Sequence, residues 1–352
     1  MNTSKMTLFA VMFTSLVSLS AMAAAPVFYP SAPEQPRIQF LKSMNGGNFF
    51  LPENPFGDRF PGYQATNVAP DKDALKKPYG VALANGKVYV CDAGAGVVKV
   101  FDLDKKFVSN LGDSKPGKLM KPMNIAIAED GTKYVADVAQ GQIFVYDASN
   151  LFVKAIGDSK TVKPTDLVLS KGKLYVTDMT SGQVIAMDPK TGTELFKVGT
   201  SGFNDSDLTR GTNLTADQAG NLYVSDTLGG KINVFTENGK FVRTIGALGD
   251  SLGQFARSKG VAVDHANRLY AVDGAFENVQ IFNEKDQLLL PFGDVGNMPG
   301  GLNMPAKVIV DYNHNKYFKQ YVAKGYDIEY VILVSNQFGD NRLNVYGFLK
   351  KQ

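Results

Sequence analysis

A short apolar strand ending in a variant of Tyr-Val-x-Asp recurs six times along this chain, and no other feature restricts its fold as much. The copies close at Asp92, Asp137, Asp178, Asp226, Asp273 and, in degenerate form, Asn336, at spacings of 45, 41, 48, 47 and 63 residues. A period in the forties with β-branched and aromatic composition belongs to four-stranded sheets that cannot bury both faces until neighbours stack on them. The expected fold is all-β, a six-bladed β-propeller with one radial sheet per repeat.

The fourth repeat shows the pattern most plainly. Asn213-Leu214-Thr215-Ala216-Asp217 leads to a turn at Gly220-Asn221, then Leu222 to Asp226, a Gly229-Gly230 turn, Lys231 to Phe235, and Phe241 to Ile245. Gly, Asn and Asp pairs between such runs are hairpin signals, so each repeat reads as a four-strand meander. The sixth repeat supplies only Lys307 to Asp311, Val331 to Asn336 and Leu343 to Tyr346 before the sequence stops at Gln352. Phe40-Leu41-Lys42-Ser43-Met44, which resembles the fourth strand Phe152 to Ile156 of repeat two, stands alone near the amino end. The amino-terminal strand is therefore expected to complete the last blade, closing the ring and covering an edge prone to aggregation. The propeller then spans residues 37–352 as one domain.

Residues 1–23 have the layout of a secretory signal: Lys5, an apolar run from Met6 to Leu19, and Ala21-Met22-Ala23. That run is shorter than the roughly 20 apolar residues a spanning helix needs. Export to the periplasm or the cell exterior is expected, with no membrane span after signal removal. Residues 24–36 read as a Pro-rich extended leader. Cys91 is the only cysteine, which excludes an intramolecular disulfide. Its slot holds Ala136, Thr177, Ser225, Val272 and Ser335 in the other repeats, so it reads as a small buried filler. A formal charge of +3 gives no basis for a nucleic-acid partner.

The repeats resemble the NHL family of six-bladed propellers. Pro78-Tyr79-Gly80-Val81-Ala82-Leu83 and Gly260-Val261-Ala262-Val263-Asp264 match that family's first strand, Leu222 to Asp226 its second, and Ile232-Asn233-Val234-Phe235 its third. The resemblance implies fold more than function, because NHL propellers serve as enzymes, sensors, nucleic-acid binders and scaffolds. Pro36-Arg37-Ile38-Gln39-Phe40-Leu41, Ile328-Glu329-Tyr330 through Asn336-Gln337-Phe338-Gly339, and Asn344-Val345-Tyr346-Gly347-Phe348 are similar to exported bacterial NHL propellers that accompany multihaem cytochromes. An extracytoplasmic protein partner, such as a multihaem cytochrome, is what that similarity implies.

Aligning the repeats at their first strands exposes a second periodicity. Lys77, Lys121, Lys163, Arg210 and Arg257 occupy one equivalent position, and Met304 replaces the cation in repeat six. In a meander the fourth-to-first connections share a face, so these residues should encircle one channel mouth and focus potential on an anionic partner. The bland alternative pairs each cation with the Asp that ends its second strand, Lys77 with Asp92 or Arg210 with Asp226. The joint change to Met304 and Asn336 in repeat six favours that pairing.

Three positions further on lie Gly80, Asn124, Asp166, Asn213, Gly260 and Lys307. Asn124, Asp166 and Asn213 resemble the oxygen sets of calcium-dependent lactonase-type propellers, which makes a metal-dependent lactonase or lyase the competing function. Calcium favours six to eight oxygens with carboxylates among them. Only one carboxylate is present here, and Lys307, from the opposite blade, could reach Asp166, so no cofactor is expected and calcium remains the alternative. The NHL lyases use a histidine-rich zinc centre, whereas His265 and His314 are the only histidines and lack metal-ligand spacing. Asp217, Asp264 and Asp311 fall where Asp caps the turn after the first strand. Two insertions break the repeat: residues 47–76, carrying Phe49, Phe50, Phe56, Phe60 and Tyr63, and residues 312–330, carrying Tyr317, Phe318 and Tyr321. Such aromatic concentrations either form a docking surface or fold down over the channel mouths.

Overall fold

A computed structural model describes residues 25–51 and 71–352. The signal reading of residues 1–23 lies outside them. Among the described residues no helix is long and apolar enough to cross a membrane.

The innermost strands are Pro78–Ala84, Pro122–Ile127, Pro164–Ser170, Gly211–Ala216, Ser258–Val263 and Pro305–Asp311. Each opens an antiparallel sheet; in the first five the strands follow in sequence order outward, and in the sixth the amino-terminal strands are outermost. Successive inner strands pack side by side, and the sixth packs against the first. Six sheets about one axis make a closed six-bladed β-propeller, as the repeat predicts.

The core is divided into six apolar clusters, each between adjacent blades. Because both faces of a blade are covered, its middle strands are buried throughout instead of alternately. Every residue of Val97–Asp102 is buried, as is every residue of Leu222–Asp226. Side chains of opposite strand parity therefore belong to two different seams: Val98 and Val100 pack toward blade two, and Phe101 toward blade six.

Closure follows the predicted route. Ile38–Ser43 lies beside Leu343–Lys351, with Ile38 opposite Phe348, Phe40 opposite Tyr346 and Ser43 opposite Asn344. The Phe40 and Tyr346 rings meet edge to face at 5.7 Å. The leader does more than extend, since Phe28–Tyr29 adds a fifth strand outside Ile38 and Gln39. Buried Tyr29 donates its hydroxyl to Asp294 at 3.1 Å, which ties the leader to blade five.

The second insertion is shorter than its sequence limits suggest. Residues from Tyr326 onward already belong to the strand Tyr326–Asn336, which pairs with Lys351 at its far end. What remains holds two short 3-10 turns, Asn315–Tyr317 and Lys319–Tyr321.

Candidate functional site

The repeated aspartates do not pair with the cations. Asp137, fully buried, accepts main-chain N–H bonds from Met120 (2.6 Å), Lys121 (3.0 Å), Ala139 (3.1 Å) and Gln140 (3.1 Å). Asp92 takes the amides of Lys76, Lys77, Gly94 and Ala95, and Asp226 those of Thr209, Arg210 and Gly229. Asp178 and Asp273 repeat the arrangement with Lys163 and Arg257. Each carboxylate thus clamps the chain arriving from the previous blade to its own second hairpin, and it bonds the cation's backbone while leaving its charge unused. In blade six, Asn336 accepts from the Asn303 amide at 3.3 Å, and Glu277 of blade five takes the Met304 amide at 2.8 Å. The joint change in that repeat reflects this different main-chain clamp and no lost ion pair.

The five cations consequently have no carboxylate partner among the described residues. Lys121, Lys163, Arg210 and Arg257 are exposed; Lys77 is half-buried, with its ammonium 4.9 Å from the centre of the Phe338 ring. They sit where each fourth strand hands over to the next blade.

Below them the structure brings the four channel candidates together. Asp166, fully buried, bonds the Lys307 ammonium at 2.6 Å, the Asn213 amide at 3.1 Å and the Asn124 amide, and it accepts the N–H groups of Leu167 and Leu214. Lys307 also donates to the Leu214 carbonyl at 3.2 Å. Asn124 Oδ1 accepts the Ile125 amide and Asn213 Oδ1 the Thr212 hydroxyl. Both carboxylate oxygens and both amide oxygens are engaged, and an ammonium already occupies the place a divalent cation would take. This donor set does not fit calcium. Gly80 and Gly260 complete the ring because a Cβ on either would lie about 2.3–2.4 Å from Asn124 or Lys307, so only glycine lets the strands converge.

One residue before each of these positions lies a second ring that sequence reasoning missed. In all six blades the register between first and second strand shifts at this point, as from Pro122 opposite Asp137 to Asn124 opposite Ala136. Such an irregularity inserts an unpaired residue and re-aims side chains. The residues so placed are Tyr79, Met123, Thr165, Thr212, Lys259 and Ala306, and all six line a cavity of about 160 Å³ at the cation-ringed mouth. Lys121, Lys307, Asn124, Asn213, Val138 and Met179 also contribute to its wall. Lys259 is half-buried, and its ammonium has no acceptor among the described residues. Burial, and then the charge of Arg257, push its pKa down to about 8. The available signal was the same repeat alignment shifted by one position.

The remaining candidates are engaged by neighbouring groups or buried. His314 has its Nδ1 within 2.9 Å of Asp311, and its Nε2 accepts the Gly86 amide at 3.1 Å, so both ring nitrogens are engaged. His265 stacks on Tyr312 with ring centroids 3.8 Å apart. Among the described residues no group of three or more His, Cys, Asp or Glu is placed to hold a metal. Asp217, Asp264 and Asp311 cap their turns through main-chain amides. Cys91 is fully buried.

Phe318, expected at a docking surface, is fully buried in the cluster between blades six and one. Tyr317 donates its hydroxyl to Asp104 of blade one at 2.8 Å, and Tyr321 packs on the same cluster beside Lys42. Phe49 and Phe50, from the first insertion, join them there, while Phe56, Phe60 and Tyr63 lie outside the described residues. The described parts of the two insertions therefore meet at a blade seam, because both carry apolar side chains that the uncovered edge between the chain's first and last blades can bury. None of their described residues lines the channel.

Comparison with known proteins places this geometry. Residues 204–341 match the model of a family described as a six-bladed β-propeller, DUF5128. No curated protein sequence matches. Among solved structures, a Bacteroides thetaiotaomicron protein of unknown function superposes with a TM-score of 0.60 at 17% identity, over 79% of this chain and 71% of that one. An auxiliary nutrient binding protein from the same organism gives 0.58 at 11% identity, over 79% and 71%. A catalytically inactive virginiamycin B lyase variant from Staphylococcus aureus, with quinupristin, gives 0.55 at 13%, over 78% and 95%. At these identities the likeness is one of fold.

Proposed function

We propose that this is an exported, non-catalytic propeller of the NHL type that binds an anionic or protein partner over the face ringed by Lys77, Lys121, Lys163, Arg210 and Arg257. The observation that carries this reading is the separation of the repeated charges. Each carboxylate near a ring cation is saturated by main-chain amides, so the cations keep their field for a partner. Export rests on the layout of residues 1–23. The partner class follows from it: an extracytoplasmic protein presenting acidic groups, a multihaem cytochrome with its haem propionates being the leading case. The lactonase or lyase alternative has less support, because Asn124, Asp166 and Asn213 commit their polar atoms to one another, to Lys307 and to the backbone.

The test is capture from the native host envelope with the intact protein and with the double variant Lys163→Glu, Arg210→Glu. Neither residue lines the channel cavity. A cytochrome, or another acidic protein, recovered with the first and lost with the second supports the reading. Equal recovery with both refutes it.

A further inference from the structure

The cavity inside the cation ring has a wall of two chemistries. Lys121 and Lys259 supply charge, the polar groups of Thr165, Thr212 and Asn213 are spent on neighbouring protein atoms, and Met123, Val138, Met179 and Ala306 are apolar. Its floor is closed by the Asp166 network, and Lys307 is neutralised there by its 2.6 Å contact with the carboxylate. Two cations with no counter-charge among the described residues, Lys121 and Lys259, therefore face a space whose remaining wall is largely apolar. A hydrated inorganic ion would satisfy the cations and waste the apolar wall; a hydrocarbon would do the reverse. A volume of about 160 Å³ has room for a molecule of roughly six heavy atoms.

We infer that this cavity binds a short aliphatic carboxylate, with its head group between Lys259 and Lys121 and its alkyl chain against Met123, Val138 and Met179. The inference deepens the anion-binding reading above and rests on it, but it concerns a small ligand beneath the ring instead of a protein upon it. Binding is proton-linked. The titratable and charged groups that face or neighbour Lys259 are Lys121, Lys307, Tyr79 and Arg257, with Asp166 already committed beneath the floor, so among the described residues no free anion supports its ammonium. A bound carboxylate supplies that charge and favours the protonated amine. Affinity is then full below pH 7 and falls as pH rises through about 8, where the free amine deprotonates.

Isothermal titration of the purified protein with butyrate tests this. One site is expected at pH 7, at least tenfold weaker at pH 9.5, with proton uptake at pH 8 revealed by different heats in HEPES and Tris. Lys259→Met should weaken binding at least tenfold while melting within a few degrees of the parent. Lys163→Glu with Arg210→Glu, which line no part of the cavity, should weaken butyrate binding less than Lys259→Met does, so loss of partner capture and loss of butyrate binding are read separately. No binding at 10 mM butyrate, an affinity indifferent to pH or to Lys259→Met, or inorganic phosphate binding as tightly as butyrate overturns the inference. Should Lys259→Met not fold, reductive methylation with ¹³C and NMR titration decides. The Lys259 signal must rise by at least one pH unit when butyrate is added, and an unmoved signal overturns the inference equally.

Discussion

Replacing Asp137 by alanine separates two accounts of the repeat's most regular feature. The side chain is fully buried and accepts four main-chain N–H bonds between 2.6 and 3.1 Å, plus one from Gln140 Nε2 at 3.3 Å. A hydrogen bond to a charged group contributes about 1.5–3 kcal/mol net. The four are not additive, because Met120, Lys121 and Ala139 lie at the surface, where freed amides regain water. The expected loss is about 3–5 kcal/mol, near the upper end for single substitutions. For a chain of this size the unfolding entropy is about 0.7 kcal/mol/K, so Tm should fall by about 4–7 °C. Asp137→Asn should lose less, since Asn336 performs a reduced version of this task in blade six. The control is Lys121→Met, expected to change stability by less than about 0.5 kcal/mol because its ammonium makes no ion pair among the described residues. Urea unfolding followed by circular dichroism measures all three. Comparable losses for Asp137→Ala and Lys121→Met would restore the carboxylate–ammonium pair; a loss below about 1 kcal/mol for Asp137→Ala would refute the clamp.

Lys307→Met leaves the Asp166 carboxylate buried without its cation and should destabilise by about 3–5 kcal/mol in urea unfolding, while adding Asp166→Asn should recover at least half of that. Deleting residues 37–46 removes the strand paired with Leu343–Lys351, and light scattering should show aggregation where the intact protein is dispersed; an undisturbed, dispersed protein would deny closure. Cys91 is fully buried, and burial followed by the charges of Asp166, Asp137 and Asp92 holds its thiol well above the usual range. Iodoacetamide at pH 8 should leave it unmodified in the folded protein and label it fully in urea, as read by intact mass.

The repeat alone determined the number of blades, the meander within each, and the closure through Phe40, because stacking sheets impose one apolar rhythm that must be written in every copy. It also brought Asn124, Asp166, Asn213 and Lys307 to one axis, since equivalent positions in a ring necessarily face each other. What Asp137 binds was not legible, because a main-chain amide has no residue signature and an acidic partner invites the nearest lysine. Nor was Lys259: the register shift occurs at the same place in all six blades, so it leaves every spacing intact while turning one more residue per blade toward the channel. The burial of Phe318 and the meeting of the two insertions at one seam were decided by tertiary structure too. Only the closed ring puts the chain's first and last blades side by side, so that insertions more than two hundred residues apart share an apolar surface to cover.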